Sequence, residues 1–152
     1  MTNDRESIWF RPYTLFEVNA LQRDSMVELL GIEFTAIGTD HVSARMPVDS
    51  RTVQPFRLLH GGASVTLAET LGSTGAVMAT DPARMQVVGQ EINANHLRAV
   101  REGHVTGTAR PIHLGGRSHV WSIEIVDDTG RLVCVSRLTL AILDRHAQRL
   151  PA

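Results

Sequence analysis

From Leu58 to Thr80 the sequence LLHGGASVTLAETLGSTGAVMAT holds one formally charged side chain, Glu69, among small, apolar and hydroxyl residues. A carboxylate taken out of water is costly unless it is paired or hydrogen-bonded, so its place in such a run calls for a reason. Ser73 follows four residues later, which makes the two neighbours on a helix surface. Gly61 and Gly62 sit at or just before the first turn of that helix, where backbone N–H groups lack intrahelical acceptors and the dipole supplies about half a positive charge. A carbonyl oxygen over the helix start can accept from the Gly61 amide, and glycine has no side chain to obstruct the approach. An amide aimed at a developing oxyanion, with a carboxylate acting as base or nucleophile, suits acyl transfer to water. Glu69 reaches the same carbonyl only if the helix starts or bends suitably and the substrate lies along it. Each part also has a plainer use: a hydrogen-bonded or interface carboxylate for Glu69, a tight turn for the glycine pair, a structural hydrogen bond for His60.

Other chemistries are poorly served. Ser64 and Ser73 lack the GxSxG elbow of a serine hydrolase. The seven histidines, His41, His60, His96, His104, His113, His119 and His146, show neither finger nor HExxH spacing, so no metal is predicted. A net charge of −1 gives no field for gripping nucleic acid. The single cysteine, Cys134, cannot form an internal disulfide, MTNDRESIWF reads as no leader, and no stretch reads as a membrane span. The expectation is a soluble cytoplasmic protein.

The elements that must position these residues follow from pattern. Residues 14 to 30, TLFEVNALQRDSMVELL, predict a surface helix stopped at Gly31. IEFTAI and HVSARMPV predict a hairpin about GTD, and DSRTVQPFRLLHGG a long loop of the kind that often carries function. After the central helix, MQVVGQEINANHL, GHVTGTARPIHL, SHVWSIEIVD and RLVCVSRLTLAIL predict four strands, the last two joined at DDTG. Connections too short for helical crossovers make the sheet mainly antiparallel and the fold class α+β. One domain over residues 1–152 is expected, its core about 14–143 and its ends, 1 to 12 and 144 to 152, loose. On the central helix, Leu67, Ala68, Leu71, Gly75 and Met78 share the face meant for the sheet, while Thr66, Glu69 and Ser73 line the other; Ala68, Gly72, Gly75 and Ala76 permit close approach.

QPFRLLHGGASVTLAETLGS resembles the signature of the hotdog-fold acyl-CoA thioesterases, in the branch that contains 4-hydroxybenzoyl-CoA, phenylacetyl-CoA and 1,4-dihydroxy-2-naphthoyl-CoA thioesterases. The resemblance continues through MPVDSRT, VVGQEINANHLRAVREG, IHLGGRSHVWSIEI and GRLVCVSRLTLAIL, over about residues 29 to 143, and is nearest to the menaquinone-pathway 1,4-dihydroxy-2-naphthoyl-CoA thioesterases and their siderophore-pathway proofreading relatives. It implies a sheet wrapped around the central helix, dimers or tetramers, and an active site at the dimer interface. It also implies Glu69 as the catalytic carboxylate and Gly61 as the amide that polarises the thioester carbonyl. By the same match Gln54 and His60 order the reaction centre, and Ser73 helps hold the water. CoA contacts carry over to Gly89, to His96, Leu97, Arg98 and Ala99, and to His113, Leu114, Gly115, Gly116 and Arg117. Arg98, Arg101 and Arg117 are cations suited to the CoA phosphates, and the Gly115 and Gly116 amides can approach a ligand. No separate cofactor is implied, since coenzyme A is part of the substrate. Arg57 stands where such relatives commonly have glycine, and Gln90 where they have an apolar residue, which bears on the acyl group accepted. The expected activity is hydrolysis of an aromatic acyl-CoA; phenylacetyl, medium-chain or carrier-bound acyl groups, a non-catalytic acyl-CoA binding module and a hotdog dehydratase are the alternatives.

Overall fold

The structure, a computed structural model, describes residues 7–145. In chain order its elements are α1 (Leu15–Ala20), α2 (Met26–Leu29), β1 (Glu33–Ile37), β2 (Val42–Pro47), α3 (Gly61–Met78), β3 (Met85–His96), β4 (His104–Leu114), β5 (Ser118–Asp127) and β6 (Leu132–Asp144). The six strands form one sheet in the order β1-β2-β4-β5-β6-β3, every adjacent pair antiparallel. The sheet wraps α3, which packs on β2 to β6, so the fold class is α+β and the arrangement is the hotdog one.

The contact between helix and sheet rests on the small residues of α3. Leu67, Ala68, Leu71, Gly75 and Met78 are buried, as their shared face requires, while Thr66, Glu69 and Ser73 are half-buried on the other. A Cβ on Gly72 would come within 2.6 Å of Leu138, and one on Gly75 within 2.8 Å of the Trp121 ring, so glycine there lets β5 and β6 approach the helix axis. Trp121 is itself held by Trp9, whose ring stacks on it at 6.3 Å between centroids.

Three expectations are corrected. Residues 14–30 make two short helices instead of one: Asp24 sits at φ 56, where the α-helix cannot continue, and Ser25 caps a new start by accepting from the Val27 N–H. Thr14 and Glu17 cap α1 reciprocally, so both helices are begun by local hydrogen bonds. Residues 7–12 are not loose: Ile8 N–H donates to Thr39 O at 3.0 Å, Phe10 N–H to Met78 O at 2.8 Å, and Trp9 Nε1 to Gly38 O at 2.7 Å. At the other end Arg145 N–H donates to Arg84 O at 2.9 Å; residues 1–6 and 146–152, which include His146, lie outside the described residues. The segment 49–62 is organised by a bridge between Val53 and Leu59 and by Thr52, buried and donating to Pro47 O at 2.7 Å.

Candidate active site

The helix begins one residue earlier than the glycine pair alone suggested, at Gly61, because His60 caps it. His60 Nδ1 accepts from the Gly62 N–H at 2.8 Å, so in the neutral ring the proton rides on Nε2. This cap leaves the preceding amide free: among the described residues the Gly61 N–H donates to no protein acceptor. The imidazole of His96, at the end of β3, lies against the Gly61 backbone, since a Cβ on Gly61 would come within 2.8 Å of His96 Nε2. A cavity of about 330 Å³ opens here, lined by Gln54, Leu58, Leu59, Gly61, Ser64, His96, Leu97, Arg98, Ala99 and Val133. Leu97 N–H donates to Val133 O at 2.7 Å, which holds the His96–Ala99 segment against β6, and Arg98 Nη1 donates to Leu132 O at 2.6 Å.

Glu69 and Ser73 belong to a second cluster. Ser73 Oγ donates to Glu69 Oε1 at 3.2 Å, and that carboxylate oxygen faces Gly89 of β3, where a Cβ would come within 2.6 Å of it. Gly89 pairs with Leu140 of β6, which pairs in turn with His119 of β5, so the β4–β5 turn that carries His113 to Arg117 lies toward this end of the sheet. Of the two amides offered there, that of Gly115 is taken, because it donates to Ser118 O at 2.9 Å; a Cβ on Gly116 would meet nothing within 4 Å. The exposed Arg117 offers its guanidinium while its carbonyl accepts from the Ile142 N–H at 2.9 Å.

Within one chain the two clusters do not meet. Eight residues of helix at 1.5 Å each put Gly61 and Glu69 about 12 Å apart along the axis, too far for one carbonyl to touch both. Gln54, His60, Gly61 and His96–Ala99 gather at one end of α3, and Glu69, with Ser73 and Gly89 beside it, lies about two turns on. A substrate lying along the helix therefore does not bring amide and carboxylate to the same atom.

Beside Ser73 the structure opens a feature that pattern reading missed. Tyr13, Val18, Leu21 and Gln22 of the α1 region close with Ser73, Thr74, Val77 and Met78 of α3 around an apolar cleft of about 230 Å³. The spacing of Ser73 and Val77, one turn apart, was the available signal on the α3 side; nothing local joins them to Tyr13. His119 was also missed: it is buried, and its Nδ1 has no partner among the described residues. Burial, with a smaller contribution from the charge of His113, pushes its pKa below the ordinary histidine value.

Residues 56–134 match the Thioesterase superfamily. The 1,4-dihydroxy-2-naphthoyl-CoA hydrolase of Escherichia coli (strain K12) is 57% identical, the match covering 90% of this chain and 99% of the relative. The proofreading thioesterase EntH of Cronobacter turicensis is 52% identical over 90% of this chain and 98% of its own length. Among solved structures, a mutant thioesterase from Pseudomonas aeruginosa superposes with a TM-score of 0.90 at 49% identity, covering 91% of this chain and 99% of that one.

Proposed function

Because the chain belongs to the thioesterase superfamily and is an acyl-CoA thioesterase, we propose that it hydrolyses an aromatic acyl-CoA, of 1,4-dihydroxy-2-naphthoyl or hydroxybenzoyl type, at a site that two copies of the chain complete together. The observation that carries the acyl reading is the apolar cleft beginning at Ser73, whose hydroxyl donates to Glu69. An aryl group held in that cleft leaves its thioester beside the carboxylate. The names of the Escherichia coli and Cronobacter relatives favour a thioester hydrolase, the first on a naphthoyl-CoA; a naphthoyl substrate would make this chain a menaquinone-pathway enzyme.

The separation of Gly61 from Glu69 supports the shared site. Strand β3 stands at the edge of the sheet with β6 as its one strand neighbour among the described residues, and all of its residues are exposed or half-buried. Such an edge is a template for pairing with another chain. Two copies joined there in a homodimer, or a tetramer built from it, bring the Gly61 end of one helix toward Glu69 at the middle of the other. The Gly61 amide then holds the carbonyl oxygen while Glu69 of the second copy faces the carbonyl carbon. One amide donor at the developing oxyanion supplies about 3 kcal/mol of transition-state stabilisation. Gln54 and His60 order the thioester, and His96–Ala99, Gly89 and His113–Arg117 contact CoA.

Two courses are open to the carboxylate. As a nucleophile, Glu69 forms a bond to the carbonyl carbon, the C–S bond breaks with its electrons going to the CoA thiolate, and water then cleaves the mixed anhydride. As a base, it takes a proton from water that Ser73 helps hold, the resulting hydroxide adds to the carbonyl, and the departing thiolate takes up the proton. Label from water that appears in Glu69 after a single turnover identifies the mixed anhydride, with water attacking its Glu69 carbonyl, since a general base exchanges no oxygen.

Thiol release from benzoyl, naphthoyl, phenylacetyl and aliphatic CoA esters tests the proposal with wild type, Glu69→Gln and Glu69→Ala. Loss of a group in either role lowers kcat by about 10²- to 10⁴-fold. Near wild-type turnover in both variants refutes the assignment of Glu69, and a preference for aliphatic esters moves the substrate away from aryl groups.

A further inference from the structure

Arg57 is held in the left-handed backbone region, at φ 63. A residue with a side chain is disfavoured there relative to glycine. It closes a turn in which its N–H donates to Gln54 O at 2.8 Å while the Gln54 N–H donates to Leu58 O at 2.8 Å. The Leu59 N–H, bonded to Val100 O at 2.7 Å, ties this turn to the segment that carries Arg98. The Arg57 side chain is exposed and makes no ion pair or hydrogen bond among the described residues, whereas Arg45, Arg51, Arg110 and Arg131 each hold a carboxylate. The fold therefore gains no polar pairing among the described residues from an arginine whose backbone conformation resists it. Residues kept in sparsely populated conformations cluster at ligand sites. Gln54 and Leu58, on either side of the turn, line the cavity at the start of α3 together with Gly61 and Arg98.

We propose that Arg57 is a specificity-determining cation, its guanidinium binding an oxyanion of the thioester substrate at the mouth of this cavity. The inference rests on the acyl-CoA thioesterase reading. Every acyl-CoA carries such oxygens on the CoA phosphates, and an acyl ring that bears a carboxylate adds a second set; the guanidinium fork suits both.

Four thioesters decide the matter: benzoyl and carboxybenzoyl, each carried on CoA and on N-acetylcysteamine, assayed with the full-length wild type and Arg57→Gly. Loss of one charge-assisted hydrogen bond predicts a rise in KM of about tenfold with kcat kept. The rise is confined to the two CoA esters if phosphate is the ligand, and to the two carboxybenzoyl esters if the ring anion is. Glycine relieves the backbone, so the Tm of Arg57→Gly stands at or above that of wild type while its affinity falls. Unchanged KM on all four esters, a uniform loss of kcat, or a lowered Tm overturns the proposal. Wild type that hydrolyses none of the four overturns the thioesterase reading instead.

Discussion

Glu69 packs against Gly89: a Cβ on that glycine would come within 2.6 Å of Glu69 Oε1. The atom encountered is the free end of a flexible side chain, so Gly89→Ala deflects the carboxylate and leaves the backbone in place. A small misplacement of a reacting group costs about 10²-fold in rate. The variant is expected to lose that much kcat while its urea-unfolding free energy stays within about 0.5 kcal/mol of wild type. Wild-type turnover would show that the carboxylate does not depend on this contact.

Gly61 and Glu69 are two turns apart on one helix, and a shared site predicts complementation. Gln54→Ala impairs one half of each site and Glu69→Gln the other. A mixed dimer of the two chains holds one site with both halves intact, so refolding an equal mixture restores about a quarter of wild-type activity. Activity no greater than the mean of the separate variants means that each chain works alone.

Gly75 faces the edge of the Trp121 ring, which is fully buried and carries the Trp9 ring stacked on it, so it has little room to shift. Gly75→Ala therefore forces a methyl group into a filled space, at a cost of about 1–3 kcal/mol. Denaturant titration should show the loss, whereas Gly116→Ala, where an added Cβ meets nothing within 4 Å, should leave stability unchanged to about 0.5 kcal/mol.

His119 is 4% exposed with an unpartnered Nδ1, and its pKa lies below the ordinary 6.5 in the folded state. Above that ordinary value neither the folded nor the unfolded chain protonates it, so it adds no pH dependence. As pH falls below it, the unfolded chain takes up the proton first, and stability declines until the folded pKa is reached. The slope from one such group approaches about 1.4 kcal/mol per pH unit. Between pH 7 and pH 5, wild type should lose more unfolding free energy than His119→Gln. Parallel losses would mean that His119 titrates alike in both states.

The strands were legible wherever one face is buried and one is not, as in Val120 to Val126, because that alternation is a local property of the chain. The polar stripe of α3 was legible for the same reason: Glu69 and Ser73 recur at helical spacing, and their hydrogen bond at 3.2 Å follows from it. The single helix expected over residues 14–30 failed at Asp24, whose positive φ leaves no mark in a hydrophobic period.

By itself, then, the sequence determined which residues could carry acyl transfer, the amide at Gly61 and the carboxylate at Glu69, and the elements that hold them. Tertiary structure alone decided that Gly89 meets Glu69 and His96 meets Gly61, and that Tyr13 and Leu21 close a cleft over Ser73. The physical reason is range. Period and capping depend on residues within a turn or two of each other, whereas strand register and the seating of a helix on a sheet depend on how distant side chains fit, and that fit is settled only when the whole core packs.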